Sequence, residues 1–139
     1  MKVQRRLQKK CIYKSKINHS VNLITSGDYA ICSLENHFIT KDQIECCRIL
    51  IRRELKRKGF LLIHSNFDIP LTKKSTGTRM GKGKGVIKEY VGYVFIYSSL
   101  FELKQIPFFL AFKLLRKISY KLPFKVCLID KNNYVFKIK

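Results

Sequence analysis

Two stretches of the chain carry apolar residues at helical spacing. The first stripe recurs at i, i+3, i+7 and i+11 and consists of Ile44, Cys47, Ile51 and Leu55. Thr40 is placed to cap this helix, Asp42 suits its positive first turn, and Gln43 occupies the capping-box position. The pattern predicts a helix that begins after Thr40 and is closed by Gly59.

The second helical pattern begins at Pro107, because proline suits the first turn of a helix. It runs to about Lys121 and stops before Pro123. The stripe that is expected to face the core consists of Phe108, Phe112, Leu115, Ile118 and Leu122. This pattern predicts a second amphipathic helix near the end of the chain.

Runs of β-branched and aromatic residues predict the strands. Residues 21–34 are expected to form two short strands around a turn at 26–28, and residues 60–64 a buried strand. The later extended segments are a long strand, a turn, a short strand and a final central strand, at 86–97, 98–99, 100–103 and 124–129. Residues 130–139 form a polar, basic exit.

The order of strands, helix, strands, helix and strand predicts an α+β fold, with two helices packed on a mixed or antiparallel sheet. A chain of 139 residues is expected to form one domain with a real core. We assign residues 21–139 to that domain and residues 1–20 to a basic N-terminal arm. Residues 65–86 are expected to form an extended hairpin loop.

The tip of this hairpin is the segment R-M-G-K-G-K-G at 79–85. Gly81, Gly83 and Gly85 leave the backbone free to adopt positive φ or to approach another backbone closely, while lysines alternate between them. A P-loop is excluded because Lys82 stands where its second glycine belongs. A dinucleotide fingerprint is excluded because Val86 takes its third glycine position and a strand follows. A phosphate-binding tip and a solvated flexible turn both remain.

The net charge of the chain indicates that it binds a polyanionic partner. The chain has 29 Lys plus Arg against 9 Asp plus Glu, a formal charge of +20 and a pI near 10.0. Self-repulsion at this level opposes a compact state unless a partner supplies counter-charge, and nucleic acid is the leading candidate. The N-terminal 18 residues contain no acid and are interpreted as an RNA-binding arm, with a free tail or a transit peptide as alternatives.

The candidate RNA-binding residues are the cations of the arm, of the outer face of the first helix and of the hairpin. They are Arg5, Arg6, Lys9, Lys10, Arg48, Arg52, Arg53, Lys56, Lys73, Lys74, Arg79, Lys82 and Lys84. For the helix, a merely solvated basic face is the alternative.

The composition indicates no metal, cofactor or membrane span. Five cysteines lack a C-x-x-C pair and are interpreted as free thiols, and three histidines lack metal-ligand spacing. The longest charge-free run, 90–101, falls short of the ~20 residues that cross a bilayer, so no membrane insertion is expected. Abundant Lys, Ile, Phe, Tyr and Asn without tryptophan favour an AT-rich organellar gene, and we predict a mitochondrial location rather than a plastid or bacterial one.

Five segments carry a resemblance to a known family. They are T-R-M-G-K-G-K-G at 78–85, I-T-K-D-Q-I-E at 39–45, R-R-E-L-K-R-K-G at 52–59, P-L-T-K-K at 70–74 and A-F-K-L-L-R-K-I-S-Y-K-L-P at 111–123. In this order and spacing the chain resembles the bacterial-type large-subunit ribosomal protein sixteen, a universal family with archaeal and eukaryotic relatives. The resemblance runs nearly end to end.

The resemblance implies a hammerhead-like α+β fold on large-subunit rRNA at the base of the central protuberance. It implies a structural, non-enzymatic role in which the hairpin tip helps to shape the site for aminoacyl-tRNA, and in which the protein joins the subunit late. The expected partners are rRNA, tRNA and neighbouring ribosomal proteins. By position, the tip contacts would be Arg79, Lys82 and Lys84.

The sequence departs from the family in three places. Residues 35–38 replace a glycine-rich loop, which weakens the expectation of RNA contacts there. Ile96 and Tyr97 stand where a Pro-Gly turn is common, and Phe109 lies outside the predicted core stripe, where a partner protein or an organelle-specific extension could cover it. Two rival functions remain: an RNA-modifying or RNA-cleaving enzyme with a basic platform, and a peripheral membrane protein that uses the aromatic helix.

Overall fold

Thr40 starts the first helix as the sequence predicts. The computed structural model describes residues 24–56, 58–81, 83–132 and 134–137. Helix α1 spans Lys41–Leu55, and the capping box is formed: Gln43 N donates to Thr40 Oγ1 at 3.3 Å, and Thr40 N donates to Gln43 Oε1 at 3.0 Å. The predicted end at Gly59 is wrong, because Lys56 takes a left-handed conformation with φ 46° and stops the helix at Leu55.

Within the described residues, eight strands and a second helix complete the fold, and the α+β prediction is confirmed. Helix α2 spans Phe108–Ser119. In chain order, β1 to β8 span Tyr29–Ser33, His37–Thr40, Phe60–Ile63, Ile69–Lys73, Val86–Val94, Ser99–Lys104, Val126–Asp130 and Val135–Lys137.

The strands form two antiparallel sheets instead of the single sheet expected. The larger sheet has the order β3-β6-β1-β7-β8, with β1 in its middle, and the smaller sheet has the order β2-β5-β4. Both helices pack on one face of the larger sheet, and β2 and β5 join the same core through Ile39 and Val94. The small sheet therefore extends from the core, and two of its strands, β4 and β5, form the hairpin.

The stripe of α1 is confirmed, and that of α2 is only partly right. Ile44, Cys47, Ile51 and Leu55 are all buried. In α2 the buried residues are Ala111, Leu114, Leu115 and Ile118, so the helix is rotated from the predicted face. Phe108 and Phe112 are consequently 42% and 37% exposed, whereas Leu122 is buried just beyond the helix.

Several strand predictions need correction. The described part of 21–34 contains one strand, β1, and β2 forms where the sequence indicated none. The strand at 60–64 is an edge strand with Phe60 59% exposed. The long strand stops at Val94, because Tyr97 takes φ 61° in a turn in which Ser98 N donates to Phe95 O. Finally, β8 forms within the predicted exit and pairs with β7, which is an inner but not the central strand.

Glu102 ties the segment before β1 to the larger sheet. Its side chain is fully buried, and its carboxylate accepts hydrogen bonds from the backbone amides of Thr25, Ser26 and Gly27 at 2.9–3.0 Å and from the Thr25 hydroxyl at 2.9 Å. Burial alone would raise the pKa of Glu102, but these hydrogen bonds outweigh it and lower the pKa to about 2. An ionised carboxylate thus holds the chain where the N-terminal arm joins the domain.

The four described cysteines, Cys32, Cys46, Cys47 and Cys127, are free thiols as predicted, and Cys11 lies outside the described residues. Cys32 and Cys127 are opposite each other on β1 and β7, on the sheet face away from the helices. Burial raises the pKa of Cys32 to about 12, so this thiol stays protonated at neutral pH.

Candidate nucleic-acid interface

The most exposed basic feature is the hairpin made by β4 and β5. The two strands pair from Ile69 opposite Val91 to Lys73 opposite Val86, a stem of about 15 Å at the usual rise per residue. Residues 74–81 and 83–84 of the loop that joins them are exposed throughout. A hairpin forms here as expected, but its loop is shorter than the predicted 65–86, because residues 69–73 of that segment form strand β4, which the sequence did not indicate.

The glycines at the tip have backbone geometry that other residues tolerate poorly. Gly81 and Gly83 have φ of 95° and 80°, in the left-handed region, with open space around their α-carbons. Gly85 is different, because a Cβ there would lie 2.6 Å from the backbone carbonyl of Lys73. The loop can therefore turn sharply and then pass directly against the end of β4.

Side chains and backbone hold the tip in shape. Ser75 Oγ lies 2.6 Å from Thr78 Oγ1, and Thr78 N donates to Ser75 O at 3.2 Å. Across the loop, Lys74 Nζ donates to Gly81 O at 2.5 Å. A concave surface at the base of the tip encloses an open cavity of about 530 Å³. Four lysines and three hydroxyl side chains line it: Lys73, Lys74, Lys84 and Lys88, with Ser75, Thr76 and Thr78.

This concave surface has the chemistry of a phosphate site. No acidic residue lies between Asp68 and Glu89 in the sequence, and Glu89, on the stem, lies 3.8 Å from Lys88 and offsets the charge of that lysine. Lysines and hydroxyls are common donors to nucleic-acid phosphates, and a thin loop can enter the space between neighbouring RNA helices. The hairpin can therefore bind a polyanion without first refolding.

The hairpin is mounted on the body by a close backbone contact. Gly92 on β5 lies opposite Ile39 of β2, and a Cβ on Gly92 would be 2.4 Å from the backbone oxygen of Asn66. Asn66 belongs to the segment that leads from β3 of the large sheet to β4 of the small one. Lys41 Nζ, at the start of α1, lies 5.9 Å from the ring centroid of Phe67 in that segment. The contact fixes the direction in which the hairpin leaves the core.

The predicted helix cations lie on α1, away from the hairpin. Arg52, Arg53 and Lys56 are exposed near its C-terminal end, about 20 Å along the helix axis from Lys41. Arg48 is also exposed, but its guanidinium forms an ion pair with Glu45 at 2.6 Å. The side-chain hydrogen bond from Arg48 lowers the pKa of Glu45 and raises that of Arg48. A phosphate at Arg48 would have to displace Glu45.

The structure does not bring the candidate residues together in one place. Hairpin and helix form two separate basic areas, and the arm residues Arg5, Arg6, Lys9 and Lys10, as well as Lys82 at the tip, lie outside the described residues. RNA contact by all of these residues stays a prediction. The sequence analysis did not identify Glu102 as an anchoring residue. The only signal for it in the sequence is its position as an acidic residue within an otherwise apolar strand.

The residues that could do chemistry are few. His64 Nε2 lies 3.0 Å from Glu102 Oε1 at the end of β3, but the Glu102 oxygens are already bonded to the amides of residues 25–27. Among the described residues, no three His, Cys, Asp or Glu side chains come close enough to hold a metal ion. Neither helix in the described ranges is long and apolar enough to cross a membrane. The dominant surface chemistry is cationic.

Comparison with known proteins decides the family. The family model described as Ribosomal protein L16p/L10e matches residues 1–129. The chain belongs to this ribosomal protein family. The match extends over both described helices, the hairpin and strands β1 to β7 as far as Ile129, and ends before β8, so the resemblance seen in the five sequence segments is confirmed.

Individual relatives agree with the L16p/L10e assignment over most of the chain. The large ribosomal subunit protein uL16 of Corynebacterium diphtheriae is 40% identical over 121 residues, which cover 87% of this chain and 88% of the relative. The protein of the same name from Borrelia hermsii is 40% identical over 111 residues, covering 80% of each chain. These relatives are bacterial and give no support to the predicted mitochondrial location.

Proposed function

We propose that this chain is a structural constituent of the large ribosomal subunit that binds large-subunit rRNA near the central protuberance. The observation that carries the proposal is the family match over residues 1–129, and the exposed hairpin loop, with no acidic residue between positions 69 and 88, fits it. Neighbouring ribosomal proteins are its other permanent partners. It is not an enzyme on this proposal, because its work is to neutralise phosphates and to position a loop.

The hairpin tip is proposed to help shape the aminoacyl-tRNA site. Lys73 and Lys74 at its base and Arg79 and Lys84 further out offer charge to RNA phosphates, while Gly81, Gly83 and Gly85 keep the tip thin. The exposed face of α1 and the N-terminal arm would contact rRNA on other sides. The rigid mount at Gly92 determines where the tip ends.

Removing tip charge is expected to impair function without unfolding the domain. In the variant Lys82→Ala/Lys84→Ala, subunit maturation or tRNA accommodation is expected to be reduced because two phosphate contacts are lost, and the affinity for rRNA should show a salt dependence smaller by about two ionic contacts. Sucrose-gradient profiles and aminoacyl-tRNA binding to purified ribosomes measure these effects.

The matched control is Lys121→Ala/Lys131→Ala, which removes the same charge from exposed positions away from the hairpin. Circular dichroism should give the same unfolding midpoint for both double variants. Normal gradients and normal tRNA binding in the tip variant would contradict the role of the tip. An equal defect in the control variant would mean that only net charge matters.

Residence on the ribosome is tested directly by stoichiometry. Quantitative mass spectrometry of large subunits after a high-salt wash should find one copy per subunit, because an integral protein holds many phosphate contacts and a loosely bound basic protein is stripped. Substoichiometric or salt-labile association would instead indicate an assembly factor or an RNA-modifying enzyme.

A mitochondrial ribosome is the location that composition predicts, and a bacterial cytoplasmic ribosome is the alternative that the bacterial relatives support. Immunodetection in purified mitochondria and in the cytoplasmic fraction separates these two locations. Either result is compatible with the proposed role on the large subunit.

A further inference from the structure

An aromatic cluster with a carboxylate in it lies at the start of α2, on elements that carry none of the described candidate RNA-binding residues. The Phe108 ring is 4.8 Å from that of Phe136 on β8, and 6.1 Å from those of Tyr29 on β1 and Phe112 one helical turn on, between ring centroids. We call Tyr29, Phe108, Phe112, Tyr134 and Phe136 the aromatic patch. Phe108 is 42% and Tyr134 65% exposed, so the patch is open to solvent.

Strand register places Asp130 inside this patch. Asp130 on β7 is directly opposite Tyr29 on β1, and on its other side Asp130 N donates to Tyr134 O at 3.1 Å. Directly opposed residues in antiparallel strands point to the same face, which here is the face that carries Phe136 and α2. A carboxylate therefore stands between two tyrosines beside two phenylalanine rings.

A second carboxylate lies close by. Asp28 precedes Tyr29, and its backbone oxygen accepts from Lys131 N at 3.0 Å. Besides burial, the charges of Asp130 and Asp28 raise the pKa of Tyr29, so both act on the patch. Asp28 accepts from Gln105 N, and Asp130 from Lys131 N and Asn132, but within the described ranges neither carboxylate forms an ion pair.

Asp28 and Asp130 are two of four acids, with Asp42 and Asp68, that form no ion pair within the described residues, and their charges act on Tyr29 of the patch. Aromatic faces beside a carboxylate form the environment that an arginine side chain prefers, because the guanidinium can stack on a ring and pair with the carboxylate at once. We propose that the aromatic patch is a docking site for an arginine-bearing basic segment of another protein.

The same geometry disfavours an RNA nucleotide at the patch. The first turn of α2 has no acidic residue and no side-chain cap, so its amides favour a negative group. The carbonyl oxygens of a bound peptide are neutral, but they carry a partial negative charge and can accept hydrogen bonds from these amides. A phosphate would have to approach Asp28 and Asp130, which repel it. Of the neighbouring cations, Lys131 follows Asp130 in the chain, and Lys104 precedes Gln105, whose amide donates to Asp28.

The partner's identity as a neighbouring ribosomal protein rests on the proposed function, but its chemistry can be tested on the full chain alone. The chain has no tryptophan, so Tyr134→Trp introduces a single reporter into the patch. The probes are synthetic peptides of alternating arginine and glycine, lysine and glycine, or glutamate and glycine, and oligouridylate. Titration at about 150 mM salt screens the net charge beyond roughly 8 Å.

The arginine peptide is expected to change the tryptophan fluorescence and to bind more tightly than the lysine peptide. Adding Asp130→Asn should weaken it about fivefold, the loss expected for a partly exposed charge pair. The matched control is Glu89→Gln, which removes one charge on the hairpin, where Glu89 lies 3.8 Å from Lys88. This control should leave the arginine affinity unchanged.

Three results would overturn the proposal. They are no response to the arginine peptide, equal weakening by Asp130→Asn and Glu89→Gln, and a stronger response to oligouridylate that Asp130→Asn enhances, which would make the patch an RNA site. The stoichiometry of the chain on the ribosome is measured separately. A failure of the ribosomal role and a failure of the arginine site are therefore distinguishable.

Discussion

Replacing Glu102 with alanine is expected to lower the free energy of unfolding by about 3 to 5 kcal/mol, because it leaves several buried donors without an acceptor. The amides of Thr25, Ser26 and Gly27 all donate to this carboxylate, and its side chain is fully buried. Denaturant titration of the full chain, followed by circular dichroism, measures the change.

Glu89→Ala is the control for this substitution, because Glu89 lies on the hairpin stem in a long ion pair with Lys88. Its loss should change the free energy of unfolding by less than about 0.5 kcal/mol. Similar stability of the two variants would mean that Glu102 is dispensable as an anchor.

The same carboxylate should make stability depend on acidity. Glu102 has a pKa of about 2 in the folded chain against an ordinary 4.5. Its contribution is therefore fully present above the ordinary value and is lost as the pH falls from about 5 towards 2, with an amplitude of ~3 kcal/mol. Glu102→Gln cannot ionise, so its stability profile should lack this component, and parallel profiles for wild type and variant would contradict the assignment.

Gly92→Ala is expected to destabilise the chain by about 1 to 3 kcal/mol and to displace the hairpin, since overpacking forces the backbone apart. A Cβ would lie only 2.4 Å from the oxygen of Asn66, between the small sheet and the segment that reaches it from β3. We expect a lower unfolding midpoint and, in ribosomes, altered chemical protection of the RNA around the tip.

Gly77→Ala is the control for Gly92→Ala, because it separates the effect of replacing a glycine from the effect of crowding the Asn66 backbone. Gly77 has φ 83° but nothing within 4 Å of a Cβ, so alanine there strains only the loop. The cost should stay near 1 kcal/mol and be confined to the tip. If Gly92→Ala were no more harmful than Gly77→Ala, the close contact at Asn66 would not be a rigid mount.

Local signals predicted well the parts of the fold whose interactions are close in sequence. The capping box joins Thr40 and Gln43, which are three positions apart, and the stripe from Ile44 to Leu55 lies on a single helix. The hairpin was predictable only in part: β5 follows the glycine-rich loop as a run of β-branched and aromatic residues, but the segment that forms β4 gives no strand signal. The cations of the candidate interface could be named from sequence, but their separation into two areas depends on packing.

The missed features depend on distant partners. Strand β2 has four residues and forms because it pairs with β5, more than fifty residues later. Glu102 fits an apolar strand only because residues 25–27 fold over it. Phe108 and Phe112 have core spacing, yet Ala111 and Leu114 face the sheet instead, since the small Ala111 allows the closer approach. The spacing of residues within the helix alone does not show which of these side chains face the sheet.

The central position of β1 has a consequence for the time at which this protein can fold. Tyr29 pairs with Leu103 on one side and with Asp130 on the other, so the earliest described strand waits for two of the last. Closing such distant pairs is slow; the pairing with β6 cannot begin before β6 has been synthesised, and the larger sheet cannot be completed before β7 has. During translation the basic hairpin is therefore synthesised before the core is complete. Until β7 has been added, the nascent chain is an incompletely folded polycation.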